Sequence, residues 1–158
     1  MTICSLGHKL HYEKQKMEKR IVFRDYNSKD FDKIMTLWEL TGMGGKERGD
    51  NDEVITLSIE TGGKLIIMEL NKDIIGTSWL TTDSRRIFLH HFGIHPDYQG
   101  KGYANSLMDE TMKFIKEKGL QVKLEVHKEN IKALSLYRKY DFIDFTEYEL
   151  MMKRDIEK

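Results

Sequence analysis

The sequence predicts an α/β fold of the α+β kind, in which helices flank a mixed and mostly antiparallel sheet. Three apolar, strand-like segments follow one another between residues 65 and 94 with only short polar turns between them, as antiparallel neighbours do. An amphipathic helix then leads from the third of these strands to a further alternating segment at residues 122–126. A strand reached through a crossover helix lies parallel to the strand before it, so the sheet is mixed.

Length and composition limit the classes of function. The 158 residues are enough for one well-buried core and too few for two ordinary domains. Lys plus Arg and Asp plus Glu number 26 each and are interspersed, which argues against nucleic acid or an anionic membrane as a partner. Cys4, the single cysteine, cannot form an internal disulfide, and the apolar runs are shorter than a membrane span. With no secretory signal pattern, the chain is predicted to be cytoplasmic.

Residues 1–19 carry many lysines and histidines without a sustained apolar period, and are predicted to be a flexible N-terminal tail to a domain at 20–158. Asn27 and Ser28 offer N-caps for a first helix, and Gly62 and Gly63 stop a second. Strands are predicted at residues 21–25, 65–70, 74–80, 86–94 and 122–126, and helices at 31–38, at 52–61, after the glycines at 100 and 102 as far as Gly119, and from Asn130. Residues 142–145 and 148–152 are predicted to close the sheet as an antiparallel hairpin.

The most informative stretch runs from Ile94 to Asn105, because it joins a strand to a helix through a loop with two glycines. Gly100 and Gly102 can adopt positive φ and let a ligand approach the backbone N–H groups directly. The first-turn donors of the following helix and the charge of Lys101 favour a phosphate or pyrophosphate. A glycine pair is equally typical of a plain tight turn, and neither the P-loop nor the dinucleotide motif fits this spacing.

Two separate motifs, one at residues 99–104 and one at residues 124–142, resemble those of the GNAT superfamily of N-acetyltransferases and follow each other in the same order. The run Gln99-Gly100-Lys101-Gly102-Tyr103-Ala104 is similar to the family's acyl-CoA pyrophosphate loop. Residues 124–142 resemble the second motif, Leu-x-Val-x-x-x-Asn-x-x-Ala-x-x-Leu-Tyr-x-x-x-Gly-Phe, with Asp141 in place of the glycine. The resemblance covers residues 21–152. It is closest to a group of poorly characterised prokaryotic acetyltransferases with Leu-Trp in the first helix and Arg-Arg-x-x-Leu-His-His on the central strand.

This resemblance implies the GNAT acyl-CoA N-acyltransferase fold and a function. The implied reaction moves the acetyl group of acetyl-CoA, the co-substrate, to a primary amine by direct attack in a ternary complex. The acceptor would be a small molecule or a peptide, bound by the loop at 41–52, the second helix and residues 145–148. A homodimer is plausible for the family. The competing class is a non-catalytic acyl-CoA-binding or sensing module of the same fold.

The resemblance also implies which residues bind acetyl-CoA. The central strand and the strand after the crossover helix are expected to splay apart and admit the pantetheine, whose amides pair with the backbone as an added strand would. The Ile94 N–H is expected to stabilise the oxyanion of the tetrahedral intermediate. The implied cofactor-binding residues are Phe92, Gly93, Ile94, Gln99, Gly100, Lys101, Gly102, Tyr103, Ala104, Asn105, Asn130 and Tyr137.

For catalysis, the resemblance assigns Tyr137 as the general acid that protonates the leaving thiolate. By its spacing alone, Tyr137 is more typical of an aromatic residue that packs on an apolar helix face, and the resemblance reverses this preference. Glu125 matches the carboxylate base of members that acetylate protein N-termini, and His90, His91 or a water are the alternatives. The two histidines are neighbours on a strand and are expected to face opposite sides of the sheet. No Cys/His cluster has ligand spacing, so no metal is expected.

Overall fold

The computed structural model describes residues 20–44 and 48–153, so the predicted tail at 1–19 lies outside the described residues. They form two compact units, one up to Glu125 and one from Val126 onwards. The first unit contains β1 (Ile21–Asp25), α1 (Phe31–Leu40), α2 (Asp52–Glu60), β2 (Lys64–Leu70), β3 (Asp73–Thr82), β4 (Arg86–Ile94), α3 (Tyr103–Lys118) and β5 (Gln121–Leu124). The second contains α4 (Ile131–Lys139).

The mixed sheet that the sequence predicts is confirmed. Its five strands lie in chain order, β1-β2-β3-β4-β5, and each adjacent pair among the first four strands is antiparallel. β5 pairs with β4 in parallel, from Arg86 opposite Gln121 to Leu89 opposite Leu124. The parallel pairing follows from the crossover through α3, which returns the chain to the end of the sheet from which β4 started.

One face of the sheet is covered by α1 and α2. The Asn27 side chain accepts a hydrogen bond from a backbone N–H of the short turn before α1, and the Asp30 carboxylate accepts one from the Asn27 backbone N–H. This capping box fixes where the chain becomes helical. Trp38 of α1 and Trp79 of β3 stack with ring centroids 5.8 Å apart. The buried core on this face consists of Ile34, Leu37, Trp38, Ile55, Leu65, Ile67 and Trp79.

The opposite face is covered by α3. Thr111 of α3 is buried and donates a hydrogen bond of 2.8 Å to the Ser78 hydroxyl. Because Ser78 precedes Trp79 on β3, the strand's alternation separates the two faces of the sheet. The helix ends at Gly119, whose φ of +65° is the left-handed conformation that glycine adopts without cost.

In the second unit, α4 begins where Asn130 caps it, with the Asn130 side chain accepting from the Ala133 N–H at 3.1 Å. After the helix, Asp141 has φ of +63°. This is the position at which the family motif has glycine, and Asp141 takes the left-handed conformation that glycine would take there. The departure from the motif therefore keeps a turn of the same hand.

The prediction of a closing hairpin at 142–145 and 148–152 is wrong, because the structure has no strand in residues 142–153. A two-stranded hairpin is marginal unless another strand or a helix covers its apolar face. Here Phe145 and Tyr148 are exposed, and Asp144 instead forms an ion pair with Arg138 of α4 at 2.8 Å. The apolar alternation of this segment therefore does not produce a strand.

Substitution of Gly63, which lies between α2 and β2, tests how closely the first unit packs. A Cβ at this position would meet the carbonyl oxygen of Leu80 and lie 2.6 Å from that of Ser58, and backbone cannot move aside cheaply. We expect Gly63→Ala to lower the free energy of unfolding by about 1–3 kcal/mol. Denaturant unfolding measures the change, with Gly119→Ala as the control, since that site is strained by its φ and is otherwise open. A Gly63→Ala loss no larger than that of the control would contradict this packing.

Candidate functional site

The sheet has an open edge where β4 and β5 stop pairing. The last paired residues are Leu89 and Leu124, and β5 ends there, whereas β4 continues to Ile94. Within the described part of the first unit, the stretch of β4 from His90 to Ile94 therefore has a sheet neighbour on one side, β3. This is the divergence of two strands that the family resemblance implies.

The backbone of Ile94 points towards the open edge. The His95 N–H donates to the Ile75 carbonyl at 2.8 Å, and hydrogen-bonded pairs alternate with non-bonded pairs in an antiparallel ladder. Ile94, opposite Gly76, is thus in a non-bonded pair, and its N–H and C=O point away from β3. The Gln99 side chain donates to the Ile94 carbonyl at 2.9 Å, so the loop after β4 is anchored on the last residue of the strand.

The two-glycine loop forms an exposed cradle at the start of α3. Gly100 and Gly102 have φ of +73° and +85°, and a Cβ at either would meet no atom within 4 Å. Gly102 is the N-cap of α3 and provides no side-chain cap, so the first-turn N–H groups point to the space above the loop. Lys101 is folded back, with its ammonium donating to the Asp97 carbonyl at 2.6 Å and lying over the Tyr98 ring.

A β-bulge changes the expected orientation of the two histidines. Thr77 pairs with Gly93 and Trp79 with His90, so Ser78 faces two residues, one of them His91, whose φ is +41°. The expectation that His90 and His91 face opposite sides of the sheet is wrong. Their rings lie 5.9 and 5.3 Å from the Trp79 ring, both on the side of α1 and α2, because the extra residue breaks the alternation.

The strained backbone at His91 is held by a relay of hydrogen bonds. The Trp38 indole N–H donates to the Thr77 hydroxyl at 2.8 Å, and this hydroxyl donates to the His91 carbonyl at 2.9 Å. The His91 ring lies against the Trp38 ring with centroids 4.0 Å apart. Positive φ at a residue other than glycine costs free energy and persists where the surroundings impose it. These contacts impose it here.

His91 forms a buried pair with Asp50. Its Nε2 lies 2.8 Å from an Asp50 carboxylate oxygen, and each side chain is only 9% exposed. The buried Nδ1 of the same ring has no hydrogen-bond partner among the described residues. Burial lowers the pKa of His91, although the Asp50 charge acts to raise it. The ring is therefore neutral near pH 7, with Nε2–H donating to Asp50 and a bare lone pair on Nδ1.

Glu125 and His90 lie beside the end of the β4–β5 ladder. Glu125 is the first residue after β5 and is exposed. Burial lowers the pKa of His90 below its ordinary value, and the charges of Glu125 and Asp50 offset part of this lowering. His90 Nε2 lies 2.9 Å from the Thr81 hydroxyl. A carboxylate and an imidazole therefore stand at the point where the two strands separate.

Two further residues that the motif assigns, Asn130 and Tyr137, lie in the second unit. Asn130 caps α4 through its side-chain oxygen. Tyr137 is buried, its ring lies 5.6 Å from that of Phe142, and burial raises its pKa to about 12. The phenol thus stays protonated through the neutral range, as an acid must before it acts.

The sequence included Met43 and Asp50 only as members of the loop at 41–52 that was expected to bind the acceptor, and it did not single out either of them or Thr77. No spacing signal connects Asp50 with His91, because the two are 41 positions apart and meet only through the fold. Met43 lies over Gly93, where a Cβ would be 2.5 Å from the Met43 methyl carbon.

Among the described residues, no group of three or more His, Cys, Asp or Glu side chains is arranged to hold a metal ion. Within the same residues, no helix has both the length and the apolar character of a bilayer span.

Comparison with known proteins agrees with this geometry. An acetyltransferase of Yersinia pestis is 28% identical over 128 residues, which cover 80% of this chain and 87% of that protein. The fold matches the ribosomal-protein-S18-alanine N-acetyltransferase from Escherichia coli with a TM-score of 0.69 at 15% identity, covering 80% of each chain. It also matches a predicted acetyltransferase with acetyl-CoA from Clostridium acetobutylicum with a TM-score of 0.66 at 18% identity, covering 84% of this chain and 96% of that one.

The match to a family model extends these pairwise similarities. Residues 31–142 match the model of the acetyltransferase (GNAT) family, and this range includes the open edge of β4, the two-glycine loop, and the motif residues Asn130 and Tyr137. The fold, the order of the motifs and the family model agree, and the chain belongs to the GNAT acetyltransferase family.

Proposed function

We propose that this protein is an N-acetyltransferase that moves the acetyl group of acetyl-CoA to a primary amine by direct attack in a ternary complex. The observation that carries the proposal is the open edge of β4 at Ile94, followed directly by the glycine cradle at the start of α3. An extended chain of amides fits the first feature, and a pyrophosphate fits the second. Acetyl-CoA carries both groups in this order, from its thioester end towards its nucleotide.

The backbone of β4 would bind and polarise the thioester end. The outward N–H of Ile94 donates to the thioester carbonyl oxygen and stabilises the negative charge that develops there in the tetrahedral intermediate. Phe92 and Asn130 are assigned to the pantetheine, as the family motif implies. The antiparallel alternation directs the N–H and C=O of Gly93 towards β3, so Gly93 would not form a hydrogen bond with the pantetheine. Its contribution would be the absence of a side chain beside the ligand.

The cradle would bind the pyrophosphate. The backbone N–H groups between Gly100 and Ala104 would face the anion without interference from any Cβ at Gly100 or Gly102. The N–H groups of Gln99 and Asn105 at the two ends of the loop donate to the carbonyls of Pro96 and Gly102, which holds the loop in shape. The positive end of the α3 dipole adds attraction, and Lys101 is close enough to exchange its contact with the Asp97 carbonyl for one with phosphate. Tyr103 and Ala104 supply the first-turn donors of α3.

The transfer itself needs a base and an acid. The acceptor ammonium loses one proton to a base, for which Glu125, His90 and His91 are the candidates in this region. The amine nitrogen then forms a bond to the thioester carbonyl carbon, and the carbon–sulfur bond breaks when the intermediate collapses. The sulfur leaves with its electron pair and takes the proton of Tyr137. The resulting phenolate recovers a proton from the nitrogen, which leaves the amide and free CoA.

The experiment that tests the proposal is release of free CoA thiol from acetyl-CoA in the presence of different amines. The panel contains a polyamine, a free amino acid, an aminoglycoside and short peptides with a free amino terminus. The peptides are included because a structural neighbour acts on an alanine of a ribosomal protein. Amine-dependent thiol release supports the proposal. Binding of acetyl-CoA without release for any amine supports the non-catalytic acyl-CoA-binding module instead.

Gly102→Glu tests the cradle. A carboxylate at the N-cap of α3 is compatible with the helix dipole but occupies the position of the pyrophosphate, so we expect acetyl-CoA affinity to fall about 100-fold or more with the fold retained. Isothermal titration calorimetry measures the affinity. Gly119→Glu is the matched control, because Gly119 also has positive φ and open space but lies at the other end of the same helix. Unchanged affinity in Gly102→Glu would refute the assignment of the cradle.

Tyr137→Phe tests the acid. Removal of the hydroxyl eliminates proton donation to the thiolate, and we expect kcat to fall about 100-fold or more while KM for acetyl-CoA changes little. Steady-state thiol release against the best amine measures both constants. Tyr140→Phe, at the C-cap of the same helix, is the control for loss of a hydroxyl. A kcat that stays within a factor of about three of the wild-type value would remove Tyr137 from the mechanism.

A further inference from the structure

The Asp50–His91 pair is the least explained feature of the first unit. The two motifs that imply acetyl-CoA binding give this histidine no role, although the Arg-Arg-x-x-Leu-His-His run of the similar acetyltransferase group includes it. Both side chains are nine-tenths buried, although burial of polar groups is costly unless their hydrogen bonds are satisfied. The pairing satisfies one nitrogen of the ring and leaves the other without a partner among the described residues. An unsatisfied buried atom in a strained residue points to a function.

We infer that His91 is the general base of the reaction, accepting a proton of the acceptor ammonium at Nδ1, and that Asp50 is its positioning residue. The inference rests on the proposed function and chooses among the bases that the sequence leaves open. Asp50 holds the ring with Nε2 protonated, which directs the free lone pair of Nδ1 away from the carboxylate.

The position of the pair fits this role. His91 is three residues before Ile94 on the same strand, in the stretch of β4 that extends beyond the ladder with β5. The bulge turns its ring to the face that carries Trp38 and Trp79, and the loop between α1 and α2 supplies Asp50. An amine bound on this face would approach the thioester from the side opposite α3. Met43, a flexible side chain over Gly93, is the group that we expect to move when the amine enters.

The alternatives fit the role less well. Glu125 is exposed, so water competes for any proton or ammonium that it binds. The Nε2 of His90 lies at hydrogen-bond distance from the Thr81 hydroxyl, and among the residues that the structure describes no carboxylate forms a hydrogen bond with its ring. His91 alone among these three combines a bonded carboxylate, burial and an unpartnered nitrogen within the described residues.

The charges around His91 define the expected pH dependence. Burial, with the nearby His90 and Arg48, lowers the pKa of His91 below its ordinary value of 6.5, and the charge and hydrogen bond of Asp50 raise it. His91 is therefore neutral and able to accept a proton at pH 7, and activity should fall as the pH decreases through a value below 6.5. Loss of the Asp50 charge should move this acid limb to lower pH still.

The test is the pH profile of kcat/KM for the acceptor amine. We expect His91→Gln to lower kcat/KM at pH 7 about 100-fold and to abolish the acid limb, while acetyl-CoA affinity and melting temperature stay near the wild-type values. Asp50→Asn should lower kcat/KM about tenfold and shift the limb downwards. His127→Gln, at an exposed histidine, is the matched control and should keep the wild-type profile.

Other outcomes overturn the inference in distinguishable ways. A wild-type profile in His91→Gln, or loss of the acid limb in Glu125→Gln instead, removes His91 as the base and leaves the proposed function intact. Absence of turnover by the wild-type protein with every amine would contradict both the role of His91 and the proposed function. Long-range nitrogen–proton NMR of the histidine rings needs no turnover. A proton on Nδ1 of His91 at pH 7 would contradict the inference, and a bare Nδ1 with a protonated Nε2 would support it.

Discussion

The organisation of this protein depends on the point where β5 stops pairing with β4. A backbone N–H or C=O that loses its partner in the neighbouring strand needs another hydrogen-bond partner. For one of the two outward groups of Ile94, the protein provides this partner itself. The Gln99 side chain bonds the outward carbonyl of Ile94, and this bond places the glycine cradle directly after the strand. An extended ligand can use the outward N–H. The end of the β4–β5 pairing at Leu89 and Leu124 thus determines where the glycine cradle lies relative to the sheet.

A second constraint acts on the other side of the same strand. The relay from the Trp38 indole through the Thr77 hydroxyl to the His91 carbonyl crosses from α1 through β3 to β4. It stabilises a bulge that would otherwise relax, and with it the unusual direction of the His91 ring. Packing of α1 therefore affects the orientation of a titratable group near the open edge. Substitutions in the tryptophan core would be expected to change the site as well as the stability of the fold.

Most of the fold could be predicted from the sequence, because hydrophobic periodicity and caps act locally. The strand–helix order, the ends at Gly62 and Gly119, and the cap at Asn130 all follow from residues next to them in the chain. The closing hairpin could not be predicted correctly, since an alternating pattern does not show whether a partner strand is available. The glycine cradle could be identified in the sequence because its backbone geometry depends on contiguous residues. Its role in binding, like that of Tyr137, remains a prediction.

The pairing of His91 with Asp50 could not be predicted for a different reason. It requires a one-residue bulge, and alternation in a regular strand gives the opposite orientation for one of the two histidines. It also joins positions in a loop and a strand that no motif connects. Interactions of this kind depend on the tertiary fold as a whole, so a local reading of the sequence identified the histidines as candidates without identifying the carboxylate.

We propose above all that the open edge of β4 and the cradle together bind acetyl-CoA. Thermal unfolding of the wild-type protein with acetyl-CoA, compared with S-acetylpantetheine, tests it most directly. At a concentration about 100 times Kd, acetyl-CoA should stabilise the folded state by about 2.7 kcal/mol and raise Tm by several degrees. S-acetylpantetheine, which lacks the pyrophosphate and the nucleotide, should have a much smaller effect. An unchanged Tm with saturating acetyl-CoA, or an equal rise with both compounds, would contradict the account.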